Sequence, residues 1–307
     1  MAIMYYRRKI ILALLETLNR DVSAKSMQKY LFLFTRKQTI DKTFDFIPYK
    51  YGCFSFQANQ DIVALSKQGF LDINQSEKGG SLYHSNYRTG FINDIDMFDV
   101  QAIRDVCAQF GSLSQDDLIA YTYRTCPFTA INSAIAERLL TPQELETVRE
   151  YKNRYKCNSP ILMTIGYEGF SLERYIKQLI YNDIRVLCDV RKNAFSMKYG
   201  FSKAILQKAC EGVGIKYIHV PELGIESENR KTLKTQKDYD RLFEEYERTT
   251  LQNNRKALLY VRSIIDREKR ICLTCFEKDP RQCHRTRVAK ALMELPNTTY
   301  KFQEILL

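Results

Sequence analysis

The second half of the sequence alternates short apolar runs with amphipathic helical patterns, and this alternation restricts the fold more than any other feature. Runs of strand length lie at residues 161–165, 185–190, 216–220 and 271–275. After the first run, Leu172, Ile176 and Leu179 have helical spacing. Strands and helices that alternate at this length form mostly parallel sheets with right-handed crossovers. We therefore predict an α/β fold for residues 158–307, with a mostly parallel sheet flanked by helices.

Polar side chains follow each of the predicted strands directly. They are Tyr167 and Glu168, then Asp189 and Arg191, then His219 and Glu222, and lastly Glu277 with His284 and Arg285. The carboxyl ends of parallel strands lie at one edge of a sheet, where open α/β folds bind their ligands. Any one of these residues could be a helix cap or a surface ion pair. Four groups at one edge favour a ligand site, so we expect them to line one crevice.

The first half has the pattern of helices followed by a β-hairpin. Apolar spacing predicts helices near residues 5–18, 23–34 and 58–67 and hairpin strands near 70–73 and 82–84. Further helical patterns fill residues 94–157. Three helices and a hairpin are the element order of a winged helix. We predict a mainly helical, winged-helix-like domain over 1–157, and the polar stretch 151–160 as its linker to the second domain, 158–307.

The charge of the chain favours an anionic partner. Lys and Arg number 47 against 36 Asp and Glu, which gives a formal net charge of +11. Residues 158–307 hold 27 of the cationic and 19 of the acidic residues, so most of the excess lies with the predicted crevice. We expect DNA or a nucleotide as the partner, although a basic surface can also serve solubility alone.

Composition also bears on the compartment. No apolar run approaches the roughly 20 residues that cross a bilayer. The nine cysteines are scattered along the chain, and this suits reduced thiols better than a disulfide framework. We expect a cytoplasmic protein without disulfides and without contact to a membrane.

Residues 48–55 read Pro-Tyr-Lys-Tyr-Gly-Cys-Phe-Ser and precede the third predicted helix. The segment resembles the Pro-Tyr-x-x-Gly-Pro-x-Ser pattern of the phage-associated and antitoxin-like family called Panacea, with Cys53 where that family usually has Pro. The resemblance implies that the third helix contacts DNA or a protein partner. The candidate contact residues are Lys50, Gln57, Asn59, Gln60 and Lys67.

Four motifs follow one another in the second half: Thr164 to Gly169, Asp189 to Arg191 with Ser196 and Phe201 to Lys203, Glu222 to Gly224, and Cys275 to Arg285. Together they resemble the domain-of-unknown-function family 488. The resemblance implies an α/β fold with its site at these motifs, and it adds Ser196 to the candidate site residues. Both resemblances together imply a setting in bacterial defence or DNA repair.

Carboxylates beside cations suit acid–base chemistry on a substrate that carries phosphate. The leading hypothesis is a nucleic-acid- or nucleotide-directed hydrolase of the DNA glycosylase kind. The expected catalytic residues are Asp189, Glu277, Glu168 and His284, and the expected substrate-binding residues are Tyr167, Arg191, Ser196, Glu222 and Arg285. Asp189 or Glu277 would be the reacting carboxylate, and Tyr167 would stack on the base. The two arginines would hold phosphate, and His284 would transfer a proton.

Two other functions remain open from the sequence. A metal-dependent nuclease would hold Mg²⁺ or Mn²⁺ with Glu168, Asp189 and Glu277, whereas the leading hypothesis needs no cofactor. A non-catalytic sensor would bind a nucleotide or modified base in the crevice and report it through the winged helix to DNA or to a protein.

Cysteine chemistry is a further possibility near Cys283. Cys275, Cys283 and His284 are residue types that bind zinc, but they lack a Cys-x₂-Cys pair. Adjacent Cys283 and His284 are not expected to point into one site from a helix start, so we predict no zinc. Cys283 could instead be a nucleophile at a helix N-terminus, although a space-filling thiol is the favoured interpretation.

Overall fold

The computed structural model describes residues 4–39, 41–76, 79–86, 90–226 and 233–305. The chain divides into two compact units, Met1–Arg154 and Tyr155–Leu307. Each unit buries its own cluster of apolar side chains. Within the described ranges, no helix combines the length and the apolarity that a bilayer crossing requires.

The first unit consists of helices and small antiparallel sheets. Its helices are α1 (Tyr6–Leu18), α2 (Ala24–Lys37), α3 (Phe56–Lys67), α4 (Met97–Phe110), α5 (Gln115–Thr125), α6 (Ala136–Leu139) and α7 (Pro142–Asn153). Its strands are β1 (Val22–Ser23), β2 (Ile47–Tyr49), β3 (Gly52–Phe54), β4 (Leu71–Gln75) and β5 (Ser81–Ser85). The hairpin β4–β5 is extended by β1, which pairs with β5. The predicted mainly helical first half is confirmed, and its element order is that of a winged helix with the hairpin β2–β3 inserted before α3.

Two buried charged groups connect α3 to α1 and α2 to the β2–β3 hairpin. Asp61 of α3 is fully buried and accepts hydrogen bonds from Arg7 and Arg8 of α1. Lys29 of α2 is also buried, and its ammonium group donates to backbone carbonyls of the β2–β3 hairpin at 2.5 and 3.2 Å. Burial lowers the pKa of Lys29. A buried charge is tolerated only with such partners, so these contacts fix how α1, α2 and the hairpin pack.

The candidate contact residues of the first unit lie on and before α3. Lys50, Gln60 and Lys67 are exposed, and Gln57 and Asn59 are half-buried. Gln57 donates to the Asp61 carboxylate at 3.1 Å. The exposed members have the accessibility that a partner would need, and their role stays a prediction.

The second unit is built on a parallel sheet. Its strands are β6 (Ile161–Gly166), β7 (Val186–Asp189), β8 (Lys216–His219), β9 (Arg270–Cys275) and β10 (Lys301–Glu304). Its helices are α8 (Leu172–Tyr181), α9 (Lys203–Glu211), α10 (Gln236–Tyr246), α11 (Arg255–Glu268) and α12 (His284–Met293). The strand order is β10-β6-β9-β7-β8, and each pair of neighbours is parallel. The predicted α/β fold is confirmed, with β10 as an edge strand that the sequence did not indicate.

The central strands explain why the sheet needs helices on its faces. Nearly every residue of β6, β7 and β9 is buried, which is the pattern of a parallel sheet covered on both sides. Ser171 caps the helix that follows β6, because its side chain accepts a hydrogen bond from the backbone N–H of Arg174. With the strands in parallel, residues 166–168, 189–191, 219–222 and 275–277 lie at one edge of the sheet.

Candidate functional site

A cleft of about 380 Å³ opens at the carboxyl edge of the sheet, within the range of about 300–1,000 Å³ that is typical of ligand sites. Its lining includes the predicted site residues Tyr167, Arg191, Ser196, Glu277 and His284. It also includes residues that the sequence reasoning did not single out as ligand contacts: Lys192, Asn193, Phe195, Met197, Lys198, Ile225, Cys275 and Phe276. The end of the sheet thus gathers residues from four separate stretches of the chain into one depression.

Glu277 is the predicted acid that faces the cleft. Its side chain is half-buried, and its Oε2 atom lies 3.1 Å from the Cys275 Sγ atom. The other predicted acids, Glu168, Asp189 and Glu222, all lie in the described part of the chain and none of them lines this cleft. Glu277 is therefore the carboxylate best placed for chemistry on a bound molecule.

Asp189 and Arg191 form a buried ion pair at the end of β7. The Asp189 side chain is 0% exposed, and its Oδ2 atom lies 2.5 Å from Arg191 Nη2. Arg191 Nε donates to both carboxylate oxygens at 2.9 and 3.1 Å, and the Tyr217 hydroxyl donates to Oδ2 at 2.6 Å. Burial and the charge of Asp189 raise the pKa of Tyr217. The Asp189 carboxylate thus orients Arg191, which lines the cleft, and is itself held by Tyr217.

Tyr167 is enclosed by other aromatic rings. Its ring stacks on Phe201 at 4.3 Å with 7° between the planes, and Phe276 meets it edge-on at 5.3 Å. The Tyr167 hydroxyl accepts a hydrogen bond from Arg191 Nη1 at 2.8 Å. Burial raises the pKa of the Tyr167 hydroxyl. At 2% exposure the ring offers no open face to a base. Tyr167 therefore supports Phe276 and Arg191 in this geometry.

Arg285 holds the backbone beside Glu277. Its Nη1 atom donates to the Glu277 carbonyl at 2.6 Å, and Nη2 donates to the Lys278 carbonyl at 3.3 Å. The residue is buried. Gly166 allows the close approach of β6 to this segment, because a Cβ atom at position 166 would lie 2.0 Å from the Glu277 carbonyl oxygen. The predicted phosphate ligand Arg285 is thus a positioning group for Glu277.

Cys275, Cys283 and His284 meet behind Glu277. Their sulfur and imidazole nitrogen atoms all lie within 4.8 Å of one another, and all three residues are buried. The sequence argument that Cys283 and His284 cannot point into one site is wrong. Cys283 precedes α12 with extended backbone angles, φ −130° and ψ 134°, so helical geometry does not separate its side chain from that of His284.

The Cys283 thiol lacks the features of a nucleophile. It is 0% exposed, and burial, reinforced by the neighbouring Cys275, raises its pKa well above the usual value. A reactive cysteine is a thiolate with access to substrate. The space-filling interpretation therefore agrees better with the geometry than nucleophilic catalysis by an isolated Cys283.

The loop after β7 forms the outer wall of the cleft. Ser196 and Ser202 exchange backbone and side-chain hydrogen bonds at 3.1 Å, and Lys198 Nζ donates to the Tyr167 carbonyl at 3.0 Å. Phe195 and Met197 project outward and are 65% and 92% exposed. The sequence carries no signal that separates these residues from Phe201, which lies in the same loop and is fully buried.

The remaining predicted site residues lie around the cleft. Glu168 is exposed and accepts from the backbone N–H of Lys278 at 2.9 Å. Glu222 lines a neighbouring groove of about 640 Å³, which shares Lys192 and Ile225 with the cleft. His219 contacts the Arg191 carbonyl through Nε2 at 2.8 Å. These residues surround the site without converging on one point.

The three carboxylates proposed to hold Mg²⁺ or Mn²⁺ do not come together. Over the described ranges, the cluster of His, Cys, Asp or Glu side chains close enough to share an ion is Cys275, Cys283 and His284. Glu168, Asp189 and Glu277 form no such group there, and the Asp189 oxygens are already bonded to Arg191 and Tyr217. The geometry therefore gives no support to a three-carboxylate metal site.

Comparison with known proteins finds similarity to a family that has no assigned activity. Residues 171–292 match the family model described as "Domain of unknown function DUF488". The match contains Asp189, Ser196, Glu222 and the segment from Cys275 to Arg285, and it confirms the resemblance of the second half. No curated protein and no solved structure matches the chain. The resemblance of the first half to Panacea stays a prediction.

Proposed function

We propose that the second unit is a hydrolase for the N-glycosidic bond of a nucleotide, either free or within nucleic acid. The observation that carries the proposal is the position of Glu277, a half-buried carboxylate in the wall of a ligand-sized cleft. Hydrolysis of a glycosidic bond requires such a carboxylate to orient water and to stabilise a cationic sugar.

Exposed rings at the mouth of the cleft suit a nucleobase. Phe195 is 65% exposed and Phe276 is 40% exposed, and both line the cleft. Stacking on an aromatic side chain contributes about 1–3 kcal/mol per base. The ring of Tyr167 packs against Phe276, so Phe276 is already ordered when a base stacks on it. The stacking role predicted for Tyr167 passes to these rings in the proposal.

Lysines replace the predicted arginines as phosphate contacts. Lys192 is exposed in the cleft wall, where it pairs with Glu226 at 2.9 Å. Lys198 is half-buried on the same wall. An exposed ion pair is weak, at about 0–1 kcal/mol, so an incoming phosphate can replace Glu226 as the partner of Lys192. Arg191 and Arg285 stay in their protein contacts.

The reaction needs one water and no redox partner. Glu277 takes a proton as the water oxygen attacks the anomeric carbon of the sugar. The carbon–nitrogen bond breaks, and its electron pair leaves with the base. The proton passes from Glu277 to the departing base nitrogen, so the net change is addition of water across the glycosidic bond.

Base release from oligonucleotides and free nucleotides tests the proposal. Glu277→Gln removes the proton acceptor while keeping the shape, and we expect it to slow base release by about 10²–10⁴-fold. Glu211→Gln is the matched control, because Glu211 is exposed at the end of α9 and lies outside the cleft, and we expect it to keep the wild-type rate. Released base is measured by liquid chromatography, and circular dichroism checks that both variants fold.

Unchanged turnover in Glu277→Gln would overturn the assignment of this carboxylate. Binding of a nucleotide without any product in the wild type would overturn hydrolysis itself and leave a sensor function for the cleft.

A further inference from the structure

We propose that Cys275, Cys283 and His284 form a zinc site at the base of the cleft, with an open coordination position facing Glu277. The three ligand atoms are buried and lie within 4.8 Å of one another. Two thiolates and an imidazole are a ligand set that selects zinc, and three protein ligands are the usual number in zinc sites that keep a position for water.

The distances are close to those of a tetrahedral zinc centre. Cys275 Sγ lies 3.5 Å from His284 Nδ1. A zinc ion at its usual distances, about 2.3 Å from sulfur and about 2.05 Å from nitrogen, places these two atoms about 3.5 Å apart. Two thiolates on the same ion would be about 3.8 Å apart. The whole group can therefore close on an ion with movements of about 1 Å or less.

The tautomer of His284 suits a metal ligand. His284 Nε2 lies 2.7 Å from the Val190 carbonyl oxygen. A carbonyl only accepts, so Nε2 carries the proton and a neutral ring has its lone pair on Nδ1, the atom that faces Cys275. Metal-bound histidines almost always donate their second ring N–H to a carbonyl or carboxylate. The ring is thus held with its lone pair directed into the cluster.

A buried arginine close in sequence to Cys283 is compatible with a thiolate at that position. In the described part of the chain, the buried side-chain nitrogen and oxygen atoms without a hydrogen-bond partner are Thr35 Oγ1 and Arg285 Nε. The Arg285 guanidinium interacts electrostatically with Cys283. Zinc binding would keep Cys283 as a thiolate, which accepts hydrogen bonds better than a thiol. A thiolate at Cys283 would also be a counterion for the buried guanidinium of Arg285.

The open position follows from where Glu277 lies. Its Oε2 atom is 3.1 Å from Cys275 Sγ, but Glu277 is not among the residues whose ligand atoms all lie within 4.8 Å of one another. Glu277 therefore sits beside the ion as a group that can bind its water, and Cys275, Glu277 and His284 all line the cleft. A zinc-bound water is more acidic than bulk water and is a stronger nucleophile at neutral pH.

Metal analysis of the full-length protein tests the site. We expect about one zinc ion per chain after purification without chelators. Cys275→Ala, Cys283→Ala and His284→Ala should each lower zinc affinity by at least 100-fold. Cys272→Ala is the matched control. Cys272 is a buried cysteine on β9, like Cys275, but lies outside the cluster, so this variant should keep the ion.

Cobalt substitution keeps the test valid if a ligand variant fails to fold. The wild-type protein, freed of zinc and given Co²⁺ alone, should show thiolate-to-cobalt charge transfer and the strong visible bands of tetrahedral cobalt. Added azide should shift those bands by occupying the open position. A cobalt spectrum that azide leaves unchanged would refute the open position.

The zinc site and the hydrolase fail separately. A wild-type protein that neither contains zinc nor gives a thiolate–cobalt spectrum would overturn the site, whatever the activity of Glu277. Equal loss of zinc in Cys272→Ala and in folded ligand variants would also overturn it. A zinc-loaded protein without base release would leave the site standing and contradict only the proposed reaction.

Discussion

The Asp189 carboxylate receives hydrogen bonds from Arg191 and Tyr217 inside the protein, and it is fully buried. Removing the charge would leave Arg191 as a buried cation without its counterion. Removing one partner of a buried ion pair costs more stability than the intact pair contributes. The remaining charge is then buried without solvent or a counterion. At the scale of single residues, Asp189 and Arg191 therefore shape the cleft that Glu277 faces.

Asp189→Asn should reduce the free energy of unfolding by about 3–5 kcal/mol. Chemical denaturation followed by circular dichroism measures the change. Asp279→Asn is the control, because Asp279 pairs with the exposed Arg281 at 2.8 Å, and loss of an exposed pair costs less than about 1 kcal/mol. Equal stability of the two variants would contradict the structural role of Asp189.

Sequence reasoning located these residues but not their roles. Strand ends in a parallel sheet share an edge, so Asp189, Arg191 and Glu277 could be placed at one end of the second unit from pattern alone. Which acid faces the cleft depends on side-chain pairing. The partner of Asp189 from β8, Tyr217, lies 28 positions away, and no local pattern encodes that contact.

The loop between β7 and α9 is the element that distinguishes this cleft from a plain sheet edge. Its backbone is held at both ends, since Lys203 N–H donates to the Ala194 carbonyl at 2.8 Å and Ser196 is bonded to Ser202. Phe195 and Met197 nevertheless point into solvent. A loop that is fixed while its apolar side chains are exposed is preorganised for contact with a ligand.

Phe195→Ala should weaken nucleotide binding by about 1–3 kcal/mol, or about 5- to 150-fold, through loss of stacking. The unfolding free energy should stay within about 0.5 kcal/mol of the wild type, because the side chain is mostly exposed. Tyr260→Ala on α11 removes a ring that is 52% exposed and outside the cleft, and it should leave binding unchanged. Calorimetric titration with a mononucleotide measures the affinity of each variant. Equal affinities of Phe195→Ala and the wild type would contradict the stacking role of Phe195.

The elements that sequence reasoning missed have weak local signals. Strand β10 reads Lys-Phe-Gln-Glu and is largely exposed, so it lacks the apolar run that marks the central strands. Its pairing with β6 is a contact between the two ends of the second unit. The extended conformation of Cys283 also has no local signal. Hydrophobic periodicity does not fix the first residue of α12 to within one position.

At the scale of the whole molecule, the candidate site is confined to one unit. Every residue of the cleft and of the proposed zinc site lies between Gly166 and Arg285, within the unit Tyr155–Leu307. The parallel sheet is also complete in that unit, since all of its strands pair with one another. The first unit has a separate core, built on α1 and α2.

A fragment of residues 155–307 should therefore fold alone and bind about one zinc ion with the affinity of the full-length protein, because its ligands, second-sphere contacts and core are all internal. The fragment 1–154 should bind none and should unfold as an independent unit. Circular dichroism establishes that each fragment is folded, and competition with a chromophoric chelator measures zinc affinity. A folded fragment 155–307 that has lost zinc binding would show that the first unit contributes to the site, and the assignment of the complete ligand set to Cys275, Cys283 and His284 would then be wrong.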